Sequence, residues 1–272
     1  MEKYISNLTI VAVERIHERY VLLRLTDDKP LPDMYPGQFV EVRVDGSPTT
    51  FLRRPISINM VDYDNNELWL LVACVGDGTR RLAQMHNGDR LNCVLPLGRG
   101  FAPACDDIFV MRRFLLIGGG VGVAPLLFQG AMLKSGPHNA EVTFLLGART
   151  AGDLPLLDEF GKYGRLLVTT EDGSMGERGF VTQHSVLGRE NFDMIQCCGP
   201  TPMMHAVVDY AYSTDTECQV SLENMMACGL GACLCCVEKV RQKDADGTVA
   251  VRNVCVCKDG PVFNKEELLW HD

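Results

Sequence analysis

The 272-residue chain lacks any run approaching the ~20 consecutive apolar residues of a membrane-spanning helix. It also lacks an excess of positive charge, since 26 Lys and Arg stand against 35 Asp and Glu, for a formal net charge of −9. A basic face for nucleic acid or for an anionic membrane is therefore not expected. No internal repeat or low-complexity tract is visible. The N-terminus, "MEKYISNLTIVAVERIHERY", sets charges on both sides of a short apolar run, which is not a secretory signal pattern. These absences point to a cytoplasmic protein without a nucleic-acid or membrane partner. The length allows two domains or one large one, with a substantial core.

Cysteine is the residue the chain has in plenty, with 12. In a secreted chain they would suggest disulfides, but nothing marks this one as secreted. Cys74, Cys93, Cys105, Cys197 and Cys198 are scattered among apolar neighbours, as buried thiols usually are. Cys228, Cys233, Cys235, Cys236, Cys255 and Cys257 crowd into the last fifth, which points to a metal centre.

The first hundred residues read as short strands: "LTIVAVERI", "YVLLRLT", "QFVEVRV", "ISINMVDY", "ELWLLVACV" and "DRLNCVLPL". Pro-Gly, Asp-Gly, Asn-Asn and Asn-Gly turns separate several of them, which suggests an antiparallel barrel or sandwich. One short helix, "GTRRLAQMH", interrupts them. After "GRGFAPACDD" strands and helices alternate: "FLLI", a glycine loop and a helix, then "AEVTFLLGART", "DLPLLDEFGKYG", "RLLVTTEDG", "FVTQHSVLG" as a helix, "FDMIQCCGP" and a closing helix "TPMMHAVVDYAYSTD". That alternation describes a doubly wound parallel sheet. From Cys218 the chain turns to short strands and loops around the cysteines.

Gly118, Gly119, Gly120 and Gly122 follow the apolar run and precede a helix with Pro125 near its first turn. Glycine lets backbone approach phosphate closely, and a helix start supplies free N–H groups. The spacing does not complete G-x-G-x-x-G, because Val123 stands where the last glycine belongs, and no Gly-Lys-Ser/Thr follows. A ligand-free tight turn reads equally well from the loop alone. "GART", "TEDGS" and "CCGPTPMM" would lie at the same sheet edge, which favours a nucleotide. In "FLRRPISI", Arg53 or Arg54 could hold a phosphate and Ser57 a ring nitrogen, while Gly76, Gly78 and Thr79 offer a second phosphate contact. Either segment alone reads as readily as a solvated basic loop.

Cys228, Cys233 and Cys236 have the C-x4-C-x2-C spacing of a plant-type 2Fe-2S centre, with Cys255 and Cys257 equally spaced for the fourth ligand. Gly229 and Gly231 allow the loop to wrap an inorganic core and aim N–H groups at its sulfides. A structural zinc site is the main rival, yet it usually shows two C-x2-C pairs. Cys235, beside Cys236, is left over.

Together, "RRPIS", "GDGT", "GGGVGVAPL" and "CCGPTPMM" resemble the ferredoxin–NADP reductase superfamily. "SLENMMACGLGACLCCVE" and "CKDGPVF" narrow the resemblance to the iron–sulfur flavoprotein, electron-transfer subunits of type 1B, NAD-dependent dihydroorotate dehydrogenases. The resemblance implies an FAD-binding β-barrel over 1–102, an NAD-binding α/β domain over 103–217 and a small 2Fe-2S domain over 218–272. It implies that Arg54, Pro55, Ile56 and Ser57 lie along FAD, with Arg54 at the phosphates and Ser57 near the flavin N5. Leu71, Val72 and Ala73 would pass the cofactor with their backbone, and Gly78 and Thr79 would cap its pyrophosphate. Gly119, Gly120 and Gly122, with Cys198, Gly199 and Pro200, would form the nicotinamide nucleotide site. The cluster ligands would be Cys228, Cys233, Cys236 and Cys257, since "KDGPVF" follows Cys257; Cys235 and Cys255 match no ligand position.

The implied activity is electron transfer from an FMN-containing catalytic subunit, through the cluster and FAD, to NAD+ in pyrimidine (UMP) synthesis, in a heterotetramer with two of each subunit. Dihydroorotate oxidation would belong to the partner. No acid–base or nucleophilic residue is expected here, and His86, His138, His184 and His205 read as surface or helix residues. NAD rather than NADP follows from the resemblance; no arginine cluster for a 2′-phosphate stands out, with Arg149 the nearest candidate. The alternatives are a reductase subunit of a hydrogenase- or ferredoxin-linked complex, and a zinc-stabilised nucleotide-binding adaptor.

Overall fold

The computed structural model describes residues 2–102, 111–136, 140–244 and 246–271. Cys105 and His138 lie outside the described residues.

Six antiparallel strands close a barrel: β1 (Tyr4–His17), β2 (Tyr20–Thr26), β3 (Phe39–Val42), β4 (Arg54–Asp62), β5 (Glu67–Ala73) and β6 (Arg90–Leu97), in the order β1-β2-β5-β4-β3-β6. These are the six strands expected from the turn signals. Closure leaves no free edge, so every strand finds two partners. The interior is packed by Leu8, Val21, Leu23, Val40, Val42, Ile58, Leu68 and Leu70, each fully buried. Helix α1 (Asp77–Leu82) spans the link between β5 and β6.

The second unit is built on β7 (Arg112–Gly119), β8 (Ala140–Ala148), β9 (Arg165–Thr170), β10 (Glu177–Arg178), β11 (Met194–Cys198) and β12 (Glu217–Ser221). Helices α2 (Ala124–Ser135), α3 (Leu157–Gly161) and α4 (Thr201–Ser213) connect them. Its strands are parallel, as the alternation predicts. The stretch "FVTQHSVLG", expected to be a helix, is instead two short 3-10 turns, 181–183 and 185–188. The cause is local: His184 Nδ1 accepts the Val186 N–H at 3.0 Å and stops the first turn from continuing. His184 is accordingly a buried turn residue, not a helix or surface one.

The cysteine-rich part adds a hairpin, β13 (Val237–Lys243) and β14 (Val249–Cys255), then a short helix α5 (Val256–Asp259) and β15 (Val262–Asn264). β15 pairs antiparallel with β12, making the sheet seven-stranded in the order β10-β9-β8-β7-β11-β12-β15. The expected start of the third part at 218 therefore falls inside β12. Cys236, Val256 and Cys257 share one core with Leu115, Ile195 and Val220 of the sheet and with Phe39 and Leu97 of the barrel.

A buried amide ladder crosses this junction. Gln129 Nε2 donates to Gln196 Oε1 at 2.8 Å, Gln196 Nε2 to Gln219 Oε1 at 2.9 Å, and Gln219 Nε2 to Asn264 Oδ1 at 3.1 Å. The end of the barrel segment joins it, as Ala102 N–H donates to Gln219 Oε1 at 3.1 Å. The ladder thereby ties α2, β11, β12, β15 and the segment leaving the barrel to one another. Gln196→Leu removes the middle rung and leaves the Gln129 amide buried without an acceptor. It is expected to lower stability by about 1–3 kcal/mol, read as a lower denaturant midpoint at unchanged slope.

Candidate functional site

Three groups of residues converge on the space between barrel, sheet and cysteine loop. The first lies at one end of the barrel. β4 and β5 run antiparallel with Ile58 opposite Leu70, so Arg54–Ser57 lies beside Leu71–Ala73. α1 then brings Gly78 to the same place: a Cβ there would sit 3.0 Å from Thr50 Cγ2 and 3.2 Å from Arg54 Nε. The two arginines divide their roles. Arg53 is turned onto the barrel wall, donating to Glu41 O at 3.1 Å and to Asn92 O at 3.0 Å. Among the described residues Arg54 bonds only to the nearby carbonyls of Leu52 and Arg53, both through one nitrogen, which leaves most of its donors open. The Ser57 hydroxyl is half-buried and has no partner among the described residues. Thr79 has a local task, its hydroxyl accepting the N–H groups of Val75 and Gly76 at 3.1 Å. Phe51 and Val75, 91% and 78% exposed, flank this end as apolar surface for a bound planar group. An open guanidinium, an unpaired hydroxyl and a glycine-tight turn fit a dinucleotide with a flat ring.

The second group is a cleft of about 730 Å³ between barrel and sheet. β8, β9 and β10 extend from β7 to one side and β11 and β12 to the other, so the strand order reverses between β7 and β11. That crevice is where open α/β sheets take ligands. Gly119, Gly120 and Pro200 form its floor, and Arg19 and Tyr20 close it from the barrel. Gly120 takes a left-handed conformation, φ +57°, with Tyr20 Oη the nearest atom to its open side. Gly122 lies against the other floor strand, where a Cβ would meet Gly199 Cα at 2.5 Å. Arg149 and Glu171 both line the cleft, on neighbouring strand ends tied by the Glu171 N–H to Ala148 O bond at 3.1 Å and the Asp172 N–H to Arg149 O bond at 3.2 Å. Of the expected site, Gly119, Gly120 and Pro200 line the cleft, while Gly122, Cys198 and Gly199 are buried behind it; burial pushes the Cys198 thiol up to about 12. Glu171 belongs to "TEDGS", one of the segments expected at this edge, whereas Tyr20 and Phe180 line the cleft with no motif in the sequence to mark them.

The third group is the cysteine loop. Gly229 and Gly231 take left-handed conformations, φ +66° and +81°, and turn backbone N–H groups inward. Leu230 N–H donates to Cys228 Sγ at 3.3 Å, Gly231 N–H to Cys257 Sγ at 3.2 Å, and Cys257 N–H to Cys236 Sγ at 3.4 Å. The bond from Leu230 leads the influences that hold the Cys228 thiol down at about 6, in the thiolate state a metal ligand needs. Cys255 behaves otherwise. Its Sγ faces the Gly231 carbonyl at 3.8 Å, so it acts as a donor where Cys257 is an acceptor. Leu234, at φ 58°, turns the chain so that Cys235 is exposed and Cys236 buried. Every described cysteine is a free thiol. No three His, Cys, Asp or Glu side chains among the described residues close on a single-ion site. Sulfurs that receive backbone N–H groups suit an iron–sulfur core, whose charge those dipoles offset.

The residue pattern has relatives. Residues 223–269 match the model of the iron–sulfur cluster binding domain of dihydroorotate dehydrogenase B. Residues 116–209 match an oxidoreductase NAD-binding domain. The chain is 36% identical to the dihydroorotate dehydrogenase B (NAD(+)) electron transfer subunit of Shouchella clausii, over 99% of this chain and all of that one. It is 38% identical to the corresponding subunit of Caldanaerobacter subterraneus subsp. tengcongensis, over 87% of each. A solved NADH-dependent reduced ferredoxin–NADP oxidoreductase, described for flavin-based electron bifurcation, superposes with a TM-score of 0.79 at 30% identity, covering 97% of this chain and 90% of that one.

The contact between the two floor strands yields a prediction. Gly122→Ala would force a methyl group into the Cys198–Gly199 backbone, which cannot move aside as a flexible side chain could. The variant is expected to lose about 1–3 kcal/mol of stability, seen as a lower thermal midpoint, and to bind NADH at least about tenfold more weakly in a fluorescence titration.

Proposed function

The chain belongs to the family of dihydroorotate dehydrogenase B electron transfer subunits, and from that premise we propose that its three residue groups form one relay. Its activity is that of an oxidoreductase subunit: electrons released when dihydroorotate is oxidised on the FMN of a catalytic partner reach NAD+ through a 2Fe-2S cluster and FAD. The chemistry resides in those groups, and the polypeptide supplies distance, orientation and potential.

For FAD, the reading assigns Arg54 to the phosphates and Ser57 to the ring, with Pro55, Ile56, Leu71, Val72, Ala73, Gly78 and Thr79 shaping the surface between. For the nicotinamide nucleotide it assigns the floor Gly119, Gly120 and Gly122 with Cys198, Gly199 and Pro200. Cys198 contributes backbone there, since its side chain is buried. Glu171 supports NAD over NADP, because a carboxylate at the strand end accepts ribose hydroxyls and repels a 2′-phosphate. Tyr20, from the barrel, reaches over Gly120 and would confine the nucleotide to the flavin side of the cleft.

For the cluster, the ligands are Cys228, Cys233, Cys236 and Cys257. The observation that carries the fourth is Gly231, which turns its N–H to Cys257 and its carbonyl to Cys255. An N–H aimed at a sulfur favours the ligand state and a carbonyl facing a sulfur favours the protonated thiol; burial pushes the Cys257 thiol up to about 12, a cost that ligation would offset. The partner is proposed to meet the loop near Met225, Leu230 and Leu234, apolar residues exposed by 84%, 45% and 65% around the ligands. Two copies of each subunit and a cytoplasmic location follow the family resemblance and the free thiols. No described helix is long and apolar enough to cross a membrane. The division 1–102, 103–217 and 218–272 stands as a proposal in which β12 and β15 join the last two parts.

Two measurements test this reading. Anaerobically purified Cys257→Ser is expected to lose the cluster's visible absorbance while Cys255→Ser keeps it; the reverse moves the fourth ligand to Cys255. The chain combined with its FMN-containing partner is expected to support dihydroorotate-dependent NAD+ reduction that the partner alone does not perform. No stimulation by this chain overturns the assignment.

A further inference from the structure

Glu41 is the only charged residue of β3, and it is wholly buried. Both of its carboxyl oxygens lack a hydrogen-bond partner. An interior carboxyl without a partner is costly and rare, so the partner is to be sought outside the polypeptide.

The strand pattern shows where the side chain lies. Val40 and Val42 belong to the barrel core, and Phe39 to the core shared with the sheet and the cysteine loop. Alternation along the strand puts Glu41 on the outer face with Phe39. On the neighbouring strand the register sets Glu41 beside Pro55 and Phe39 beside Ser57, two of the residues assigned to FAD. What covers Glu41 from outside is the cysteine loop. A Cβ on Gly229 would lie 2.6 Å from Glu41 Cγ and 3.1 Å from its Oε1. Only a glycine beside Cys228 lets the loop settle this closely on the carboxyl.

The charged groups facing Glu41 are Arg53, Arg54 and Cys228. Neither arginine pairs with the carboxyl among the described residues: they donate to Glu41 O, to Asn92 and to the carbonyls of Leu52 and Arg53. Burial is the largest influence and pushes the carboxyl up to about 7; the arginines oppose it and Cys228 adds to it. A cluster held by four thiolates carries net negative charge and favours the uncharged acid further.

We propose that Glu41 is a neutral buried acid whose O–H, accepted by no protein atom, would be donated toward the 2Fe-2S centre held by the loop behind Gly229 and would raise its reduction potential. Hydrogen bonds to the sulfurs are among the levers that set such potentials. The inference rests on the iron–sulfur reading above, and it adds to the ligands a residue of the barrel, placed between flavin strand and cluster loop.

The test is an EPR-monitored redox titration of the full chain, with iron and flavin content measured alongside. Glu41→Gln keeps a neutral donor and is expected to hold the wild-type potential and reduced-state g values. Glu41→Met, of similar volume but without a donor, is expected to shift the potential downward and to move the g values at unchanged iron content. An unshifted potential in Glu41→Met overturns the proposal. So does an upward shift in Glu41→Gln, the result expected on removing a negative carboxylate. Should Glu41→Met lose iron, the Glu41→Gln titration decides by itself. Wild-type chain without iron or an EPR signal would instead overturn the iron–sulfur reading, an outcome no Glu41 variant can imitate.

Discussion

The pairing of β15 with β12 is the interaction on which the arrangement depends. It makes three residues near the C-terminus an edge strand of the nucleotide sheet. The cysteine loop lies between β12 and β15 in sequence, so both of its ends are anchored to the strand next to β11. Pro200, on the cleft floor, follows two residues after the end of β11. Nucleotide floor and cysteine loop therefore share one rigid reference, and the amide ladder through Gln196 and Gln219 extends it to the barrel's exit at Ala102. A relay requires this, because electron transfer weakens steeply with distance and a loosely tethered cluster would defeat it.

Glycine settles how closely the parts approach, through particular contacts and not general flexibility. Gly122 lies on Gly199, Gly78 on Arg54 and Thr50, and Gly229 on Glu41. Each is a place where one segment of a site meets another, and in each case a methyl group would stand in the way. Gly120 and Gly231 serve differently: their left-handed conformations open the cleft to Tyr20 and turn an N–H toward Cys257. The motifs "GDGT", "GGGVGV" and "ACGLGAC" are thus packing statements as much as binding ones.

Much of this was legible in the sequence because it is local. Six barrel strands separated by turn dipeptides, and alternating strands and helices after them, carry their own periodicity. C-x4-C-x2-C carries a spacing that few other structures need. The illegible parts are tertiary. β15 is three residues long, too short for any period, and its partner lies some forty residues earlier in the chain. Glu41 in "QFVEVRV" looks like an ordinary outward position of a half-exposed strand. Its burial comes from a loop almost two hundred residues further on. Spacing alone left Cys255 and Cys257 equal; in the fold they differ in the Gly231 group each sulfur meets, the N–H for Cys257 and the carbonyl for Cys255.

The cluster loop is asymmetric, and the asymmetry has a direction. Cys228 and Cys233 are partly or fully exposed, whereas Cys236 and Cys257 are buried in the core shared with sheet and barrel. A carrier of single electrons needs one edge open to its donor and another held against its acceptor. The exposed pair, ringed by Met225, Leu230 and Leu234, has the first character, and the packed pair has the second. Cys235 falls on the open side and Cys236 on the buried one, just after the left-handed turn at Leu234. Its exposure follows from burying Cys236: adjacent residues cannot both point inward at this turn, so the spare thiol is a geometric consequence of the buried one beside it.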